Sequence, residues 1–127
     1  MTMAKKKIVV NLALQSVTAY EGDKVVRECE CVTGDSDHPT PKGGFSVKLK
    51  YRKYTSRKYK APMDYAMFFT TNGEALHKYH GRAPWWMLRA GRALTDQVGS
   101  HGCVRLQEED AMALFEWAAV GTPVEVF

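Results

Sequence analysis

Ser16-Val17-Thr18-Ala19-Tyr20-Glu21-Gly22-Asp23-Lys24-Val25-Val26-Arg27-Glu28-Cys29-Glu30-Cys31-Val32 is the stretch that decides the fold class. Two runs rich in β-branched residues flank Glu21-Gly22-Asp23-Lys24, a turn signal, so the stretch reads as two strands joined by a short turn. From Arg27 to Val32 charged and apolar residues alternate, the pattern of a half-buried strand. Alternation puts Cys29 and Cys31 on one face, where they are expected as small core hydrophobes. Neighbours at this spacing along one strand are poorly placed for a disulfide.

Working outward, Lys7 to Leu12 is a further β run, and residues 33–44 form a loop too rich in Gly and Pro for regular structure. Phe45 to Leu49 reads as a strand. Tyr65 to Thr70 and Ala75-Leu76-His77 flank Thr71-Asn72-Gly73-Glu74, the signature of a hairpin. One helix is expected, at about 108–119. Glu108, Glu109 and Asp110 put negative charge in its first turn, Ala111, Leu114, Phe115 and Ala118 form one apolar face, and Gly121 and Pro123 end it. Val124 to Phe127 closes the chain as a strand. The fold class is mainly β with one helix packed on it.

The chain has 127 residues, 45% hydrophobic and 25% charged, which suits one domain over 1–127 with a single core and argues against disorder. No run approaches the roughly 18 apolar residues of a membrane span. The start, Met1-Thr2-Met3-Ala4-Lys5-Lys6-Lys7, lacks the apolar core of an export signal, so the chain is either made without one or follows a removed leader. The net charge is +4, and Lys48, Lys50, Arg52, Lys53, Arg57, Lys58 and Lys60 cluster, with Tyr51, Tyr54 and Tyr59 among them. Such a stretch can bind phosphates or a carboxylate-rich polymer, but a solvated face is the simpler expectation and no nucleic-acid partner is expected. A monomer is the default, the sequence leaving oligomeric state open.

The chemistry concentrates in Val98-Gly99-Ser100-His101-Gly102-Cys103-Val104-Arg105-Leu106. A thiol attacks carbonyls as its thiolate and needs a base or a positive field beside it. Gly99 and Gly102 allow a sharp turn whose backbone N–H groups can face an oxyanion. His101 is only two positions from Cys103, so a base from elsewhere is the better candidate; His77 and His80 are available. His38 sits in the Pro-rich loop with no apolar element to position it. Trp85 and Trp86 are adjacent, so one is expected to pack and the other to be exposed at a cleft mouth.

The run from Ser100 to Leu106 resembles the signature of the L,D-transpeptidases, the YkuD-like cysteine enzymes that cross-link peptidoglycan. Thr33-Gly34, Pro39-Thr40-Pro41-Lys42-Gly43-Gly44-Phe45, Ala61-Pro62-Met63, Gly73-Glu74-Ala75-Leu76-His77, Asp110-Ala111 and Gly121-Thr122-Pro123-Val124 are similar to further elements of that family, in its order. The resemblance implies a β-sandwich-like catalytic domain with Cys103 as nucleophile and His77 as its general base. It also implies an oxyanion site lined by His101 and the backbone of Gly102 and Cys103, with Ser100 and Arg105 supporting the pocket or holding a substrate carboxylate. Arg105 paired with Glu108 or Glu109 is the alternative.

The implied reaction is attack of Cys103 on the third residue of a peptidoglycan stem peptide, loss of D-alanine, and transfer of the thioester to an amine. No metal or cofactor is implied; carbapenem acylation is, as is a place in the periplasm or cell envelope. Alternatives are an L,D-carboxypeptidase or other hydrolase acting on peptidoglycan peptides, also as a delivered effector, or a non-catalytic wall-binding module. Two departures stand out. Residues 78–99 between His77 and Ser100 form a longer segment than the family's usual spacing, expected beside the cleft as a lid or wall. Lys78 follows the histidine where Gly or Ser is common, which matters only if a hydroxyl orients the base.

Overall fold

The computed structural model describes residues 5–58 and 60–127. Among the described residues nine strands form two sheets. The first contains β1 (Lys6–Asn11), β2 (Ser16–Glu21), β3 (Lys24–Glu30), β4 (Gly43–Ser46) and β9 (Pro123–Val126), in the order β3-β2-β1-β9-β4. The second contains β5 (Leu49–Tyr51), β6 (Ala66–Phe68), β7 (Ala75–Lys78) and β8 (Val104–Leu106), in that order. The described residues also form two helices, α1 (Trp85–Leu94) and α2 (Glu108–Trp117).

Alternation builds the core. Ile8 and Val10 of β1, Val17 and Ala19 of β2, Cys29, Cys31, and Val124 and Val126 of β9 all point inward from the first sheet. Met67, Leu76, Val104 and Leu106 do so from the second, and α2 adds Ala111, Leu114 and Phe115 to the same cluster. Both early cysteines are therefore buried core residues, as their spacing predicts, and burial pushes each thiol up to about 12. The final strand lies parallel to the first, Val10 opposite Val126, and antiparallel to β4, so the two ends of the chain meet inside one sheet.

Four sequence expectations need correction. The run Phe45 to Leu49 is not one strand: β4 ends at Ser46, Val47 is buried at a crossover, and β5 begins in the other sheet. Val47 N–H donates to Thr122 of the first layer while Lys48 N–H donates to Phe68 of the second. Second, β8 is an unforeseen strand inside the motif, paired with β7 and only three residues long. Third, α2 ends at Trp117, before Gly121. Ala118 is extended and the Lys50 ammonium donates to the carbonyls of Phe115 and Ala118, closing the helix from outside its own sequence.

The fourth is the count of helices, two among the described residues where one was expected. Helix α1 buries none of its residues. Trp86, Met87 and Leu94 face solvent at 70%, 49% and 88% exposure. Its inward face is polar: Arg89 donates to the carbonyls of Gln15 and Cys31, and Arg92 to those of Thr33, Gly34 and Val98. Patterning predicts helices from a buried apolar stripe, and this helix carries its apolar stripe outward. Of the adjacent tryptophans, Trp85 lies against Tyr79 and donates to Glu30, while Trp86 is exposed. Among the described residues, no helix is long and apolar enough to cross a membrane.

Candidate active site

The second sheet shows its inner face to the core and its other face to a cleft of about 910 Å³. Period-two alternation decides which residue goes where. In β7, Leu76 points into the core, so Ala75 and His77 point the other way. In β8, Val104 and Leu106 are fully buried in the core, so Cys103 and Arg105 face the cleft. The parallel register sets His77 opposite Arg105 and Leu76 opposite Val104. Cys103, two residues before Arg105, is thereby one diagonal step from His77 on the same face. Cys103 also packs against Met63, Ala66 and Ala75, an apolar patch on this side of the sheet.

Burial governs both reactive groups. It pushes the Cys103 thiol up to about 11, aided by the Glu74 carboxylate and opposed by a hydrogen bond to the Ala75 backbone and by the Arg105 charge. It brings the His77 imidazole down to about 4, against the backbone hydrogen bond at Lys78, which favours the charged ring. His77 Nδ1 lies 2.7 Å from the Lys78 carbonyl. Donation there leaves Nε2 as the proton acceptor. A backbone carbonyl orients the ring, so the absence of a hydroxyl at position 78 costs nothing. The Lys78 side chain is engaged with Glu108 instead.

The turn before Cys103 is braced from within. Ser100 Oγ donates to the Cys103 carbonyl at 2.5 Å and accepts from Gly102 N–H at 3.2 Å. Gly102 has φ +115°, a conformation L side chains rarely adopt, and an added Cβ would lie 3.2 Å from Glu74 Cγ. Thr40 Oγ1 accepts from Gly34 N–H and donates to the Gly102 carbonyl, tying the Pro-rich loop to the turn. Sequence reasoning gave Thr40 no role beyond its motif, because its partner is 62 residues away. Arg105 lines the cleft beneath Tyr79, with 5.4 Å from guanidinium carbon to ring centroid, and its buried Nε has no partner among the described residues. Among the described ion pairs none joins it to Glu108 or Glu109.

Three placements differ from the sequence reading. His38 does have a positioning partner: its Nδ1 lies 2.9 Å from Asp35 Oδ1, and its ring lies tilted against that of His101 with centroids 4.5 Å apart; both histidines line the cleft. The Asp35-x-x-His38 spacing was the available signal. Asp35, His38 and His101 bring potential metal-ligand atoms within 4.8 Å of one another. His80 pairs with Asp64 and does not line the cleft. Of the segment 78–99 only Gly99, beside Ser100, is among the residues that line the cleft; its helix α1 packs behind the Ser100 turn and is not a lid, and Trp86 is not at the cleft mouth. Arg57 and Lys58 from the basic stretch do line the cleft, and Tyr59 lies outside the described residues.

A family model described as the L,D-transpeptidase catalytic domain, YkuD, matches residues 5–126. The chain belongs to this family. Among curated proteins it is similar to L,D-transpeptidase 1 of Mycobacterium tuberculosis, 28% identical over 93% of this chain and 49% of that protein. The chain thus spans about half the length of this L,D-transpeptidase relative. Among solved structures it is similar to an L,D-transpeptidase from Stackebrandtia nassauensis, with TM-score 0.81, 30% identity, and coverage of 97% of this chain and 55% of that one. It is also similar to an L,D-transpeptidase in complex with imipenem, with TM-score 0.79, 25% identity, and coverage of 98% and 59%. The resemblance read from the motifs, and the mainly β architecture it implied, are both borne out.

Proposed function

We propose that this chain is a cysteine acyltransferase domain acting on peptidoglycan stem peptides by L,D-transpeptidation. The observation that carries the reading is the shared cleft face of Cys103 and His77, fixed by the parallel pairing of β7 and β8. Cys103 Sγ attacks the carbonyl of the third, diamino residue of a stem, and its proton passes to His77 Nε2. The carbon–sulfur bond forms, the bond to the D-alanine nitrogen breaks, and His77 returns the proton to the departing amine. An amine of a second stem then attacks the thioester and releases Cys103.

Both groups are neutral at rest, so His77 acts as a general base during attack and no ion pair is preformed. The Cys103 N–H and His101 are assigned to the oxyanion, and Ser100, which holds Gly102 N–H, to keeping the turn in shape. The partner-poor Arg105 guanidinium is assigned to a substrate carboxylate. The solved relative with imipenem supports acylation of Cys103 by carbapenems. A peptidoglycan substrate places the working enzyme in the cell envelope.

Incubation with tetrapeptide muropeptides, read by mass spectrometry, tests the reading. Cross-linked dimers that vanish in Cys103→Ala are expected. Tripeptides alone would mean hydrolysis, with water resolving the thioester, and unchanged substrate would reduce the domain to a binding module.

A further inference from the structure

Arg92 stands on α1, in the long segment between His77 and Ser100, and its side chain points away from the cleft toward the back of the Cys103 turn. One nitrogen, Nη1, lies 2.7 Å from the Gly34 carbonyl, 3.1 Å from that of Val98 and 3.2 Å from that of Thr33. These carbonyls flank a pair of main-chain contacts: Ser100 N–H donates to Thr33 and Asp35 N–H donates to Ser100. The fit is close, since a Cβ added to Gly99 would lie 2.6 Å from Arg92 Nη1. Ser100, held in this way, is the residue whose hydroxyl bonds the Cys103 carbonyl and the Gly102 N–H. Arg89, one helical turn earlier, fastens the same helix to the carbonyls of Gln15 and Cys31.

We propose that Arg92 is a positioning residue, delivered by α1, which clamps segment 33–34 to segment 98–100 and thereby fixes the turn that presents Cys103. The proposal rests on the reading of Cys103 as the nucleophile. A guanidinium suits the task, because several backbone carbonyls turned toward one point need a multivalent, charged donor. Helix α1 has no buried apolar residue, and its two arginines attach it together with the Trp85 contacts to Glu30 and Tyr79. The segment that lengthens the spacing between base and nucleophile is thus a rear brace for the nucleophile. Arg92 acts through geometry: the charges that act on the Cys103 thiol are those of Glu74 and Arg105.

Wild type, Arg92→Gln and Arg92→Lys are compared in three assays: Cys103 acylation by imipenem, Cys103 alkylation by iodoacetamide, and amide hydrogen exchange at Ser100 and Gly102. Acylation needs the aligned turn, whereas alkylation needs only an accessible thiolate. In Arg92→Gln, acylation is expected to fall roughly 10- to 100-fold, the scale of a small misplacement at a reacting centre, with alkylation and its pH profile unchanged. Exchange at Ser100 is expected to quicken by about tenfold or more, and Arg92→Lys, which keeps a charged donor, to lie between the two. A folded Arg92→Gln that acylates at the wild-type rate, or that loses acylation and alkylation equally, overturns the proposal. Should wild type resist imipenem, the catalytic reading fails by itself, and the exchange comparison still decides the brace: unchanged Ser100 protection overturns it. If Arg92→Gln does not fold, Arg92→Lys is judged by the same ratio of acylation to alkylation and the same exchange.

Discussion

Burial holds the Cys103 thiol up at about 11 and the His77 imidazole down at about 4, so near pH 7 neither group is charged. A preformed thiolate would alkylate at a rate already flat near neutrality. Here the iodoacetamide rate at Cys103 is expected to keep climbing from pH 7 to pH 10, as followed by mass spectrometry; a plateau below pH 8 would contradict the neutral pair. His77→Gln removes the proposed proton acceptor, and acylation is expected to drop by about 10²- to 10⁴-fold, the usual weight of a general base. Alkylation at pH 10, where hydroxide ionises the thiol, should change little. Thr40 offers a second test at this scale. Thr40→Val removes the hydroxyl between Gly34 N–H and the Gly102 carbonyl and leaves two buried groups unpaired. A loss of about 1–3 kcal/mol in urea unfolding is expected.

Helix ends show how separate elements complete one another. Glu108, Glu109 and Asp110 give α2 a negative first turn, and Asp110 receives Arg27 from β3 at 2.7 Å. At the other end the helix has no basic residue of its own in its last turn, and Lys50 of β5 serves the Phe115 and Ala118 carbonyls, both at 2.6 Å. Lys50→Met keeps the aliphatic stem and removes the donor. It is expected to cost about 1–2 kcal/mol, read as a lower Tm, whereas exposed Lys48 changed in the same way should leave Tm in place. One lysine of the basic cluster is therefore structural, while Arg57 and Lys58 reach the cleft. A count of positive charges along the chain does not separate these roles.

At the scale of the molecule, β9 sits between β1 and β4 and joins them into one sheet. Removal of residues 122–127 would expose the edges of β1 and β4 and strip Val124 and Val126 from the core. The shortened chain is expected to lose its cooperative unfolding transition in circular dichroism. The whole fold also carries the cost of keeping His77 neutral. The ring binds a proton near pH 6.5 when unfolded and near 4 when folded, so stability is complete above 6.5 and is lost as pH falls toward 4. The loss amounts to about 3 kcal/mol. Denaturant melts across this window should show it, and His77→Gln should flatten that part of the curve.

The amino-acid sequence by itself determined the strands with clear alternation, the acidic start of α2, the burial of Cys29 and Cys31, and the motif that carries Cys103. Each is written in local spacing, which side-chain geometry converts directly into a face or a cap. Tertiary structure alone decided the rest. Val47 ends one strand because it crosses between sheets, and α2 stops where a distant lysine meets its carbonyls. Helix α1 is held by arginines bonded to backbone carbonyls and by Trp85 against Tyr79 and Glu30, interactions that leave no apolar period to read. His77 and Cys103 come together only because β7 and β8 pair in parallel, a long-range register that no local pattern encodes.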